Sequence, residues 1–219
     1  MHSLFLQVDT TVKPSIDIFA LLMKGGVVMI PLAILSLIAV ILILERLLFL
    51  GKNTKISESN HKALIQHLTS GNYDAAAQLC SKTDSSWGRI FIFAATDKNQ
   101  SIDELDRMME EAANVEVARL EKGMNYLSMI AGIAPLLGFI GTIIGVITIF
   151  FDISTSSDIS IAVISEGLYK KMVSSATGLV VGIIAYAGYH LFQNSVDGFV
   201  AKIQEQALQL KVAMKASRK

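Results

Sequence analysis

The groups able to do chemistry in this chain are few, and they sit inside or beside long uncharged stretches. Thr142 lies in an uncharged run from Gly123 to Phe151. Ser174, Ser175 and Thr177 lie in another, from Met172 to Val196. A hydroxyl in an apolar helix can bond back to its own helix carbonyl at little cost, which is its default role. In a water-filled passage the same hydroxyl can instead bond water or a carboxyl presented by a partner. Glu166, Lys170 and Lys171 stand just before the second run. A charge at mid-bilayer costs about 2.5–3.5 kcal/mol on insertion scales, so charges there face a cavity or a partner, or reach for the headgroups. Glu166 and Lys170 are four apart with the acid first, the favourable order for a helical ion pair. The group reads either as side chains snorkelling to the headgroups or as the mouth of a pore.

Other chemistry has little to stand on. Cys80 is the single cysteine and has no partner for an intrachain disulfide. His2, His61, His67 and His190 are scattered without ligand spacing, so no metal site is expected. There is no nucleophile–base pairing and no phosphate loop, so neither an enzymatic role nor a cofactor is expected. The 19 basic residues are matched by 19 acidic ones, which argues against a nucleic-acid binder.

The elements that must position these groups are membrane spans. Of the 219 residues, 52% are apolar and only 17% charged, below the quarter or so usual for a soluble domain. Crossing a bilayer takes about 20 apolar residues. The runs from Val27 to Leu44, from Gly123 to Phe151 and from Met172 to Val196 meet that need, and the third helix is expected to begin near Ile159. The start lacks the basic region of a secretory signal, so the first span is expected to stay in the mature protein.

Basic residues set the orientation. The stretch from Asp152 to Ser160 has none, Gly51 to Lys122 has nine, and the tail after Asn194 has five. The expectation is an N-terminus outside, a C-terminus in the cytoplasm and a bacterial inner-membrane location. The predicted fold is an all-α integral membrane protein with three transmembrane helices. Residues 1–25 form a periplasmic segment, 26–50 the first span and 51–124 a cytoplasmic helical domain. Residues 125–151 form the second span, 152–160 a periplasmic loop, 161–194 the third span and 195–219 a cytoplasmic helix. Spans two and three are expected to continue into a cytoplasmic bundle. Ser101 through Glu104 fits a capping box. Behind it Ile102, Leu105, Met109, Ala113, Val117, Leu120 and Met124 form one apolar stripe, and Val196, Val200, Ile203, Ala207, Leu210 and Met214 form another. The segment from Ile56 to Asp97 reads as shorter helices and turns.

Small residues recur at intervals of four in spans two and three: Ala134 and Gly138, Gly141 and Gly145, Gly178 and Gly182. Such spacing lets membrane helices approach closely. Span one, rich in leucine and isoleucine around a lone Pro31, reads as lipid-facing.

The string from Ala134 and Pro135 through Gly138, Gly141, Thr142 and Gly145 resembles the signature of the ExbB/TolQ/MotA proton-channel family. The stretch from Gly167 to Leu179 resembles the matching third-span motif, and Gly25 through Leu47 resembles the first span. The resemblance, nearest to ExbB, covers residues 18–195. It implies a pentamer that holds two copies of a single-span ExbD/TolR-like partner, whose membrane aspartate takes up and releases protons. Motion would pass to a TonB- or TolA-like protein acting on the outer membrane. By position, Thr142 matches the span-two hydroxyl facing that aspartate, and Ser175 matches the span-three one, with serine in place of threonine. The family's usual pore glutamate falls on Lys170, and Glu166 lies one turn away. A TolQ-like subunit, or a scaffold that assembles without passing ions, is the rival reading; the scaffold would tolerate Thr142→Val.

Overall fold

The computed structural model describes residues 25–96, 101–155 and 161–217, and among them every regular element is helical. In chain order these are α1 (Met29–Asn53), α2 (Glu58–Thr69), α3 (Tyr73–Lys82) and α4 (Ser86–Phe91). A 3-10 turn (Ile92–Ala95) and then α5 (Ile102–Glu121), α6 (Met124–Thr155) and α7 (Ile161–Ser217) follow. α1, the run containing α6 and the run containing α7 are each long and apolar enough to cross a membrane. The expected start of the third span near Ile159, the segment 1–24 and the stretch 156–160 lie outside the described residues.

α6 and α7 pack against each other more extensively than any other pair of helices. They run antiparallel: Ala134 and Gly138 meet Gly178, Gly141 meets Ser174, and Gly145 meets Lys171. α1 lies antiparallel to α6 and parallel to α7, with Val28 against Gly141 and Ile43 against Gly188. Its outer face carries Ile30, Ile34, Leu37, Ile41 and Leu44 into the surroundings, while Leu32 and Ala39 are buried. Phe139, Ile143, Ile147 and Phe150 of α6 and Leu179, Val180 and Ile183 of α7 are exposed as well. So broad an apolar surface is tolerable in lipid and not in water.

α6 carries Pro135 in its interior. A proline there leaves the carbonyl four residues earlier without its usual donor. That carbonyl, of Ala131, lies against Gly182, and the Pro135 ring fills the space where Gly182 has no side chain.

α7 runs unbroken for 57 residues in all, roughly 85 Å at the helical rise, and so extends well beyond the span. α5 approaches α6 through a joint instead. It ends at Glu121, and Gly123 takes φ +88, a conformation that favours glycine. The end of α5 leaves carbonyls without helical partners. Arg46 of α1 donates to one of them, the Leu120 oxygen, at 3.3 Å. Its other side is paired with Glu45 at 2.5 Å, and its guanidinium lies over the Phe49 ring.

The expected capping box is present in its first half, with the Ser101 hydroxyl accepting the Glu104 N–H. Leu105, Met109, Leu120 and Met124 are buried, as are Val196, Ile203, Leu210 and Met214 of the α7 stripe. The two stripes face one another across a groove of about 290 Å³ between Met109, Ala113 and Val117 and Phe199, Ile203 and Ala207. α2 to α4 close the other side: buried Trp87 donates to Gln206 at 2.7 Å, and buried His61 meets Phe91 edge-on. Cys80 is buried in the same core, which pushes its thiol up to about 12.

Glu116, 4% exposed, ties this part together. It pairs with Arg89 of α4 at 2.8 Å and with Arg119 at 2.8 Å, and Arg89 also donates to Asn53 at the end of α1. Burial alone would raise the Glu116 carboxyl. Hydrogen bonds from Arg89 and Ser86, with the charges of Arg89 and Arg119, more than offset that and hold it below its usual value. A carboxyl lowered by folding contributes stability above its unfolded value, and that stability is lost as pH falls through the folded value. Glu116→Gln should therefore cost about 1–3 kcal/mol at neutral pH, read as a lower melting temperature in detergent. The wild type should lose this increment progressively as pH falls below the ordinary glutamate value of about 4, narrowing its gap to the variant.

Candidate functional site

The site grows from the seam between α6 and α7. A Cβ on Gly178 would stand 2.4 Å from the Ala134 carbonyl oxygen, and one on Gly138 would stand 2.8 Å from that of Ser174. Both neighbours are backbone, which cannot give way as a flexible side chain can. A Cβ on Gly182 would meet the Pro135 ring at 2.6 Å, and one on Gly141 would meet the Ser174 Oγ at 2.7 Å. Each small residue thus removes the volume that would hold the helices at the ordinary spacing of 8–10 Å or so.

This closeness brings polar groups within reach across the seam. Thr142 is half-buried, and its hydroxyl donates to the Lys171 carbonyl on α7 at 3.2 Å, with the Gly138 carbonyl of its own helix at 3.4 Å. Ser174 is fully buried and donates to the same Lys171 carbonyl at 2.8 Å. One backbone oxygen therefore collects two hydroxyl protons from two helices. An oxygen that has given its hydrogen away keeps its lone pairs for accepting. Of the two hydroxyls only that of Thr142 is partly open to the surroundings, since Ser174 is enclosed in the seam.

The other expected site residues lie around this centre. Ser175 is half-buried with its Cα against Gly138, and among the described residues no group takes its hydroxyl. Thr177 bonds back to the Val173 carbonyl at 2.8 Å, the default role of a helical threonine. Glu166 is exposed, two turns before Ser174 on α7. Lys170 is part of α7, and its side chain falls outside the described parts. The structure thus gathers Thr142 with the seam and leaves Thr177 and Glu166 off it.

Two residues of this centre, Ser174 and Lys171, stood among the hydroxyls and charges read from the sequence, but neither was assigned to the pore or to helix packing. A signal for both was present. Ser174 is four before Gly178, which is four before Gly182, and Lys171 is three before Ser174, so all share one helical face. The Lys171 stem crosses α6 at Gly145, where a Cβ would lie 2.1 Å from its Cγ.

Three apolar helices, two of them joined at a glycine seam that carries hydroxyls, define a polytopic helical membrane protein with a polar centre between spans. Residues 82–205, more than half of the chain, match the MotA/TolQ/ExbB proton channel family, and the chain belongs to that family. It is 29% identical over 192 residues to ExbB-like protein 3 of Synechocystis, a biopolymer transport protein, covering 87% of this chain and 91% of that one. An ExbB homolog of Methanothermobacter thermautotrophicus is 26% identical, covering 87% of this chain and 70% of its own length. The biopolymer transport protein ExbB of Salmonella typhimurium is 28% identical over 136 residues, which span 62% of this chain and 54% of that protein.

The seam makes a graded prediction. Gly178→Ala should destabilise the protein by about 1–3 kcal/mol, because its new methyl meets backbone. Gly132→Ala on α6 meets nothing within 4 Å and should be neutral or slightly stabilising. Melting of the two variants side by side in one detergent checks the contrast.

Proposed function

We propose that this chain is the ExbB-like channel subunit of a motor driven by the proton-motive force in a bacterial inner membrane. It forms a homo-oligomeric ring, a pentamer by family resemblance, around an ExbD-like single-span partner, and it energises outer-membrane transport through a TonB-like protein. The N-terminus is periplasmic, and the helices beyond the spans lie in the cytoplasm. The ExbB names of the relatives reported above favour this branch over a TolQ-like one serving outer-membrane integrity.

The observation that carries the reading is the half-buried Thr142 hydroxyl, which spends its hydrogen across the seam on the Lys171 carbonyl. Hydroxyls whose hydrogens are spent on a carbonyl present lone pairs, and a lone pair stabilises the protonated form of a carboxylic acid facing it. A partner aspartate at this level would pick up a proton against Thr142 and Ser175 and lose it where water or a cation favours the charged form. Thr177, one turn deeper, and Glu166 and Lys170, toward the end where α6 finishes and α7 begins, line the rest of the passage. Glu166 supplies the acid that position 170 lacks.

The test is co-expression with the ExbD-like partner from the same source, native mass spectrometry of the purified complex, and proton flux in liposomes. A ring of five chains with two partner copies is expected. Thr142→Val keeps shape, loses the oxygen, and should cut flux about tenfold or more, the equivalent of one hydrogen bond. A closed ring that captures no partner, or full flux with valine at 142, would leave a membrane scaffold as the better account.

A further inference from the structure

Lys171 is a charged residue inside an apolar helix, and its surroundings are specific. Its stem lies across α6 at Gly145, where a Cβ would come within 2.1, 2.3 and 2.8 Å of its Cγ, Cδ and Cβ. Its Nζ ends 3.5 Å from where a Cβ on Gly26 would stand, just before α1 begins. Gly145 is three residues from Thr142, on the same face of α6. One residue of α7 therefore lies against α6 and reaches the segment just before α1, and its own carbonyl takes the hydroxyls of Thr142 and Ser174.

The physical reason for this path is the ammonium. A lysine whose backbone lies among apolar residues must deliver its charge to a polar boundary, with the methylenes laid along apolar surface. Val28, just before α1, packs on Gly141, so the segment leading into α1 is the neighbour that the Lys171 Nζ reaches. The straight way to it crosses α6, and only a glycine at 145 leaves it open.

We propose that Lys171 is a positioning residue of the proton pathway. Its stem, seated in the notch at Gly145 and drawn toward Gly26 by its ammonium, sets the α6–α7 spacing one turn from Thr142. It thereby holds the Lys171 carbonyl within reach of the Thr142 hydroxyl, across the seam. The inference rests on the proton-channel reading above, and it assigns the glycine at 145 to lysine passage rather than to helix–helix contact.

The experiment uses the full chain with its co-expressed partner in liposomes, with native mass spectrometry to verify assembly of every variant. Lys171→Met keeps the stem and drops the charge, so it should assemble yet lose about tenfold in proton flux, while Lys171→Arg should stay within about threefold of wild type. Gly145→Ala and Lys171→Ala should each lose about tenfold, and the double variant should be no worse than the weaker single, because both break one contact. Wild-type flux in Lys171→Met, or a double variant reduced about a hundredfold by simple addition, would overturn the proposal. Thr142→Val separates the two levels. If it is inactive while the Lys171 variants conduct normally, only the positioning role falls; if it conducts normally, the proton-channel reading falls with it.

Discussion

The close approach of α6 and α7 is the constraint on which the rest of the structure depends. Lipid gives two apolar helices no hydrophobic reason to associate, so contact must come from packing and from polar groups that find each other. Gly138 and Gly178 let backbone meet backbone, and Gly141 and Gly145 admit a serine and a lysine from the opposite helix. The 3.2 Å bond from Thr142 to the Lys171 carbonyl exists only because of that spacing. At an ordinary interhelical distance Thr142 would have only its own helix to bond, and no polar centre would form.

Beyond the spans the adhesive changes. There the helices can use the hydrophobic effect, and Trp87, Phe91, Leu120 and Leu210 are buried among them. Specific fixing comes from charges placed at joints. Glu116 holds Arg89 and Arg119, and Arg46 caps the end of α5 where it turns into α6. A buried carboxylate costs desolvation and is tolerable only with such partners. Glycine seams in one half and paired charges in the other join the two environments along a single continuous helix.

Much of this was legible in the sequence, for reasons that can be stated. Uncharged runs of sufficient length announce spans, and spacings of three and four announce helical faces, so the spans and the two stripes could be read directly. The glycines at intervals of four marked small faces. What they could not give was phase between helices. Ser174 and Ser175 are neighbours with the same chemistry, yet one is buried in the seam and the other is not. Choosing between them needs the register of α6 against α7. The partner of Arg46 was equally hidden, since the Leu120 carbonyl is 74 residues away and carries no mark in the sequence. Lys171 looked like one of two adjacent lysines until Gly145 was seen beneath it.

One asymmetry has mechanical meaning. α7 passes from the spans into the bundle as a single rod with no proline, whereas α5 and α6 meet at Gly123, whose φ of +88 breaks the helix. A pair made of one stiff member and one articulated member has, at Gly123, a ready place between bundle and span where its angle can change. Tilting α6 against α7 would be absorbed at the glycine, while twist applied to α7 among the lipids has one continuous helix leading to Gln206, which holds Trp87. The chain is built like an axle beside a hinged strut.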